Sequence, residues 1–197
     1  MIQSIDSKAR KLSRITHEDT SIIDSEGVNI AAAVDEPAII RLCERFFQLI
    51  DEDDEKWFTD IYAKSEIPRE ELIQGYYEYL IQRLGGAPHY SERAGHPNLI
   101  SLHAEIGIDN SRKNKWLSLM EDALDSLDHI FDSDLKNHLM LFFSHCCSTY
   151  VVGSNELKRF TCARLYDDDF EVNRAPDPDD KVIKSSEGVE RHHHHRK

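Results

Sequence analysis

Apolar positions along the chain recur with helical rather than alternating spacing. Ile39, Leu42, Cys43, Phe46, Phe47 and Ile50 fall at intervals of three and one, which lines them up on one helix face. Asp35 is placed to cap that helix and Pro37 to sit in its first turn, where proline's missing N–H has no partner to lose. A second helix starts around Pro68, with Glu70 and Glu71 beside the positive end of its dipole, and carries Leu72, Ile73, Tyr76, Tyr79, Leu80 and Leu84. Gly85 and Gly86 stop it, because consecutive glycines admit the positive φ angles of a sharp exit. Ala87 to Pro97 then reads as a turn-rich connection, followed by a short helix from Leu99 to Ile106. The strongest periodicity comes next. Trp116, Leu119, Met120, Ala123, Leu124 and Leu127 form one stripe, Leu135, Leu139, Phe142, Phe143, Cys146 and Tyr150 another, and the two helices are expected to pair. No strand alternation competes within residues 35–153, so the pattern predicts an all-α core of four longer helices and one short one.

The ends of the chain lack such stripes. Residues 1–34 mix Ser, Asp and Lys with short apolar pairs and read as an N-terminal extension, frayed or docked at the periphery. After Gly153, Phe160, Leu165, Tyr166 and Phe170 give residues 154–172 enough apolar surface to dock on the core, with helix and strand both open. Residues 173–197 carry no apolar face and read as a disordered tail. The histidines His192 to His195 lie in it, as a metal-attracting tract or the remnant of a purification tag.

Composition narrows the class of function. A chain of 197 residues, 40% hydrophobic and 31% charged, suits one compact domain with polar appendages. Lys and Arg total 24 against 37 for Asp and Glu, and a net charge of -13 repels phosphate backbones and anionic lipid, so neither nucleic acid nor membrane is expected as a partner. No run reaches the ~20 consecutive apolar residues of a membrane span, and the first residues lack a signal peptide's apolar core. A cytoplasmic location is the expectation. Cys43, Cys146, Cys147 and Cys162 are too few for a disulfide scaffold and match no zinc spacing, which leaves reduced thiols. The acidic run from Asp51 to Glu55 reads as a solvated loop rather than a metal site.

Periodicity does not account for the segment from Gly85 to Pro97, GGAPHYSERAGHP, followed by LISLHAEIGI with His103 and then by Trp116. A double glycine, Tyr-Ser-Glu, Gly-His-Pro, a histidine on a short helix and a tryptophan early in the next helix occur here in that order. In this the chain resembles the group II truncated haemoglobins over roughly residues 35–153, including Phe46-Phe47, Tyr62 and the last helix through Tyr150-Val151-Val152. The resemblance implies the truncated globin fold, a two-over-two helical sandwich, here with N- and C-terminal extensions. It also implies haem b as cofactor and oxygen or another diatomic as ligand, in oxygen transport or in redox turnover of nitric oxide or peroxide with a reductase.

A neutral imidazole on a short helix can supply iron with its axial nitrogen while apolar neighbours shield the macrocycle from water. His103 is the metal-ligand candidate. His96, held between Gly95 and Pro97, is assigned to ordering the connection, and His145 to packing or surface. A bound diatomic gains partial negative charge, which an indole or phenol donor stabilises. The resemblance assigns that side to Trp116 and Tyr62, with Leu72 as an apolar gate. Phe47 stands where the family commonly offers a tyrosine, and Tyr76 is placed to return a phenol from another wall, directed at ligand, water or Tyr62. Phe46, Leu80, Leu99 and Leu102 complete the apolar lining. Where the family often has arginines around the proximal helix, this chain has Asn98, Ile100 and Leu102, so Tyr90, with Arg93 or Arg83 to supply charge, is the candidate for the propionates. The competing reading is a globin-fold interaction or sensor module with weak haem or none.

Overall fold

A computed structural model describes residues 4–24, 29–95 and 98–169; within them the side chains of residues 22, 24 and 160–169 are left aside. All regular structure among the described residues is helical: α1 (Ile5–Ser13), α2 (His17–Asp24), α3 (Ile30–Val34), α4 (Glu36–Glu52), α5 (Trp57–Lys64), α6 (Arg69–Arg83), α7 (His89–Ala94), α8 (Leu99–Ile106), α9 (Asn110–Ser126) and α10 (Ser133–Asp169). The chain divides into two compact units, one from residues 1–15, 98–113 and 144–197, the other from 16–97 and 114–143.

The second unit is built on α4. Its cap is as expected: the Asp35 carboxylate accepts from the Ala38 amide, and Pro37 lies in the first turn. Ile39, Leu42, Cys43, Phe46, Phe47 and Ile50 are all buried along its inner face. α4 packs against α3, α5 and α6, and α6 against α7. The acidic run is exposed, as expected, at Asp51, Glu52, Asp54 and Glu55, and half-buried at Asp53. Asp51 and Glu52 belong to α4, Asp53 pairs with Lys115 at 2.8 Å, and Lys56 Nζ donates to the carbonyls of Asp51 and Asp53 at 3.2 and 2.6 Å. The double glycine ends α6 by two different constraints. Gly85 takes φ 97°, while a Cβ on Gly86 would stand 2.6 Å from Ile81 Cγ2 and 3.0 Å from Ala31 Cβ, where α3 closes in. Within residues 114–143, Leu119, Met120, Ala123, Leu124, Leu127, Leu139, Phe142 and Phe143 are buried, and the rings of Trp116 and Phe143 join α9 to α10.

The first unit holds α1, α8 and residues 144–169 of α10. Ile5 and Ala9 of α1 are buried with Val152 of α10, and Ile100 of α8 packs on that cluster. The short helices depart from expectation. Residues 89–94 form α7 inside the connection expected to be turns, and α5 is a further short helix, because six or eight residues are too few to show a period. α1 to α3 order much of the N-terminal extension, with Ile15, Thr20, Ile23, Ile30 and Ala31 also buried. α10 runs through Gly153 to Asp169, settling the open segment as helix to that point; the glycine marks a close approach, since a Cβ there would meet Ile100 Cγ2 at 2.6 Å. The expected tail, with His192 to His195, lies outside the described residues, as do His96 and Pro97. Among the described residues no helix is long and apolar enough to cross a membrane.

Candidate functional site

Asn98 opens α8 by accepting from the Ser101 amide, and Gly107 closes it with φ 75°. This short helix presents His103. Its Nδ1 donates to the Leu99 carbonyl at 2.6 Å, which fixes the tautomer, since a carbonyl can only accept. Nε2 therefore carries the lone pair, and among the described residues it makes no hydrogen bond. Burial holds the ring's pKa below the ordinary histidine value, against the opposing pull of the Leu99 bond, and so keeps it neutral. Tyr150 of α10 stacks on the imidazole, with centroids 4.1 Å apart and planes within 5°. A neutral, oriented imidazole with its second nitrogen engaged is the donor that a haem iron or another borderline metal requires. Around it, Leu99 is half-buried and Leu102 is 50% exposed.

The other unit gathers the aromatic candidates. Phe46 and Phe47, on α4, are 0% and 1% exposed, with their rings edge to face at 5.8 Å. Tyr76 of α6 lies 6.0 Å from Phe46 and 4.9 Å from Phe47 between ring centroids, and Tyr62 of α5 lies 5.3 Å from Phe47. The hydroxyls of Tyr62 and Tyr76 are hydrogen-bonded at 2.7 Å, so Tyr76 points at Tyr62, one of the three expected partners. Burial first, then the neighbouring Tyr76, pushes the Tyr62 phenol well above its usual pKa; it stays protonated and can donate. Trp116 packs on Phe46 at 4.9 Å, and its indole N–H meets no protein acceptor among the described residues. Leu72 is half-buried on α6 and Leu80 buried.

The propionate candidates are anchored within the same unit. The ring of Tyr90 meets Tyr79 edge-on at 5.8 Å, and Arg93 Nε donates to Glu78 at 2.7 Å. Glu78 also accepts from Gln74; burial pushes its carboxyl up, but these bonds outweigh it and hold the pKa below the ordinary value. Ser91 and Gln82 exchange two hydrogen bonds, at 2.8 and 3.0 Å, which pins α7 to α6 and gives the Tyr-Ser-Glu motif a structural reason.

Two neighbours of the candidate residues escaped sequence reasoning. Tyr150 reads as a stripe position in the last helix, with no sign of its contact with His103. Arg69, seven places beyond Tyr62, has its guanidinium 4.8 Å over the Phe47 ring, donates to the Phe47 carbonyl at 3.0 Å and pairs with Asp51. No sequence signal announces either contact, since both depend on which helices meet. His145 pairs with Asp6 at 3.0 Å, in keeping with a packing role. No group of three or more His, Cys, Asp and Glu side chains suited to a metal ion occurs among the described residues.

Comparison with known proteins identifies the family. The model of the family described as bacterial-like globin matches residues 33–148. "Two-on-two hemoglobin-3" of Arabidopsis thaliana is 36% identical over 157 residues, covering 80% of this chain and 86% of the relative. "Group 2 truncated hemoglobin 3-1" of Lotus japonicus is 35% identical over 157 residues, covering 80% and 90%. The cold-adapted truncated haemoglobin of the Antarctic bacterium Pseudoalteromonas haloplanktis superposes with a TM-score of 0.51 over 59% of this chain and 90% of its own, at 22% identity, which speaks for the all-α truncated globin fold. The chain belongs to the bacterial-like globin family, and within it to the group II truncated haemoglobins.

Proposed function

We propose that this chain holds a b-type haem through His103 Nε2 and binds oxygen or another diatomic ligand, with Tyr62 and Trp116 as hydrogen-bond donors to it. The observation that carries the reading is His103 itself: half-buried, neutral, with Nδ1 bonded to Leu99 and Nε2 making no bond among the described residues. When bound, the haem supplies an iron that takes a diatomic ligand and exchanges single electrons. The chain's part is to position and to shield. Leu99 and Tyr150 set the plane of the imidazole. Phe46, Phe47 and Leu80 exclude water, and Leu72 gives an apolar gate. The Tyr62 and Tyr76 hydroxyls share one bond at 2.7 Å, and the accepting hydroxyl of the pair keeps its own O–H to direct, together with the Trp116 indole, at charge developing on the ligand.

Several donors hold a ligand tightly, which suits redox turnover of nitric oxide or peroxide, with a reductase supplying electrons in the cytoplasm, better than rapid oxygen delivery. Tyr90 and the remaining N–H groups of Arg93 are the propionate partners. The test is an absorption spectrum of the purified protein in ferric, ferrous and carbon-monoxide forms, with haem quantified per chain. One haem per chain and a Soret band are expected. A chain that takes up no haem would move the function to the interaction or sensor module.

A further inference from the structure

We propose that the N-terminal helix α1 is a positioning element for His103, acting through Ile100. The proposal takes its spectroscopic readout from the haem assignment above, but its structural basis is independent of it. Ile100 precedes His103 by three residues on α8, so the two side chains rise from adjacent turns of one helix face, and a displacement of one carries the other. Ile100 rests on the cluster formed by Ile5 and Ala9 of α1 and Val152 of α10. Gly153 brings α10 against the same side chain, where any Cβ would overlap Ile100 Cγ2. One turn before Gly153, Tyr150 stacks on the imidazole. The residues that locate Ile100 thus continue directly into those that orient His103.

α1 is fastened rather than merely adjacent. Ala9 is 0% exposed, and at that site nothing larger fits without moving a neighbour. The Ser4 side chain caps the helix by accepting from the Ser7 amide at 3.0 Å. Asp6 reaches His145 of α10 at 3.0 Å and Arg10 at 3.2 Å, and Arg10 also donates to the Ile15 carbonyl at 3.5 Å, closing the end of the helix. Lys8 and Arg159 are the cations that act on Glu156, a carboxylate buried in α10 whose oxygens have no hydrogen-bond partner among the described residues. Apolar packing and charge together hold α1 on the two helices that bear His103 and Tyr150. α1, Tyr150, Val152 and Gly153 lie outside residues 33–148, so these parts of the device are an addition to what the family pattern covers.

The experiment compares the full chain with Ala9→Glu, Asp6→Asn and, as a control on the exposed side of α1, Leu12→Ala. Hydrogen exchange is followed by mass spectrometry over residues 5–13 and 99–106, and the iron–histidine stretching band of the ferrous protein by resonance Raman scattering. Ala9→Glu is expected to raise exchange in both segments together, to shift the band and to speed haem loss severalfold. Asp6→Asn should do the same to a smaller extent, and Leu12→Ala should do neither. If 5–13 exchanges faster while 99–106 and the band stay as in the parent, α1 does not position His103. Should Ala9→Glu unfold the chain, as circular dichroism would show, Asp6→Asn decides. If the chain takes up no haem, the haem assignment fails by itself and the exchange of 99–106 still decides this proposal.

Discussion

Tyr62 and Tyr76, fourteen positions apart on α5 and α6, share a hydrogen bond of 2.7 Å beside the buried rings of Phe46 and Phe47. The pair sets two phenols beside the face of α4 that itself offers only phenylalanine at positions 46 and 47. One hydroxyl proton closes the bond, and the accepting hydroxyl keeps its own to donate onward. A buried phenol left without a partner would cost about 1–3 kcal/mol, and the second tyrosine removes that penalty.

Ligand escape should depend on these donors. Each neutral hydrogen bond to a bound ligand is worth ~1 kcal/mol, or roughly a fivefold change in dissociation rate when it acts on the bound state. Tyr62→Phe, Tyr76→Phe and Trp116→Phe are therefore each expected to raise the oxygen dissociation rate, and Phe47→Tyr to lower it, in stopped-flow displacement by carbon monoxide. Faster thermal unfolding of Trp116→Phe with unchanged oxygen release would assign the indole to packing alone.

Replacement of His103 by alanine should release haem and abolish the iron–histidine band. Retention of an unaltered ferrous spectrum would show that another residue holds the iron. Tyr150→Leu keeps the ligand atom but removes the stacked ring, so haem is expected to stay bound while the band broadens or shifts.

The legible part of this chain was the part written in repeats of three and four. The face of α4 from Ile39 to Ile50 is buried as its spacing implies, and Asp35 caps it. The Gly85-Gly86 pair stood out because turn geometry demands glycine, and His103 because the motifs around it resemble those of a known family. α7, the Gln82–Ser91 clasp and the Tyr150–His103 stack were not legible, since short helices show no period and contacts between helices are not encoded by local spacing. Gly153 is the instructive failure. Read locally it interrupts a helix, yet Ile100, 53 positions earlier in the sequence, accounts for it, and the helix continues.

A pH dependence should come from Glu156. Burial pushes its carboxyl up to about 7, against Lys8 and Arg159, which pull it down. The folded chain thus binds a proton that the unfolded chain, with a carboxyl near 4.5, has released. The stabilising contribution is full below the unfolded value and is lost as the pH rises through the folded one, at roughly 1.4 kcal/mol per unit of displacement. Glu156→Gln keeps the shape without the charge. It is expected to flatten the fall of Tm between about pH 5 and pH 8 and to be the more stable chain at the upper end. Parallel Tm profiles for the two chains would mean that the carboxylate is solvated.

The thiols should stay apart. Cys146 and Cys147 are neighbours on α10, about 100 degrees apart around the axis, which is incompatible with a relaxed bridge. Burial pushes the pKa of Cys43 and of Cys147 far above the usual thiol range, so both should resist alkylation in the native state while Cys146 reacts first. Peptide mapping after a maleimide pulse checks the order, and a Cys146–Cys147 disulfide under mild oxidation would contradict the helix.

α10 counts 37 residues and so runs about 55 Å, but the family pattern stops at residue 148, less than halfway along it. What is inherited as a pattern and what folds as a body therefore have different borders. A chain trimmed to the pattern would end before Tyr150 and begin after Ala9, leaving Ile100 facing solvent and the imidazole without its stacking partner. Borrowing this globin as a module, for fusion or for minimal design, means carrying both ends with it.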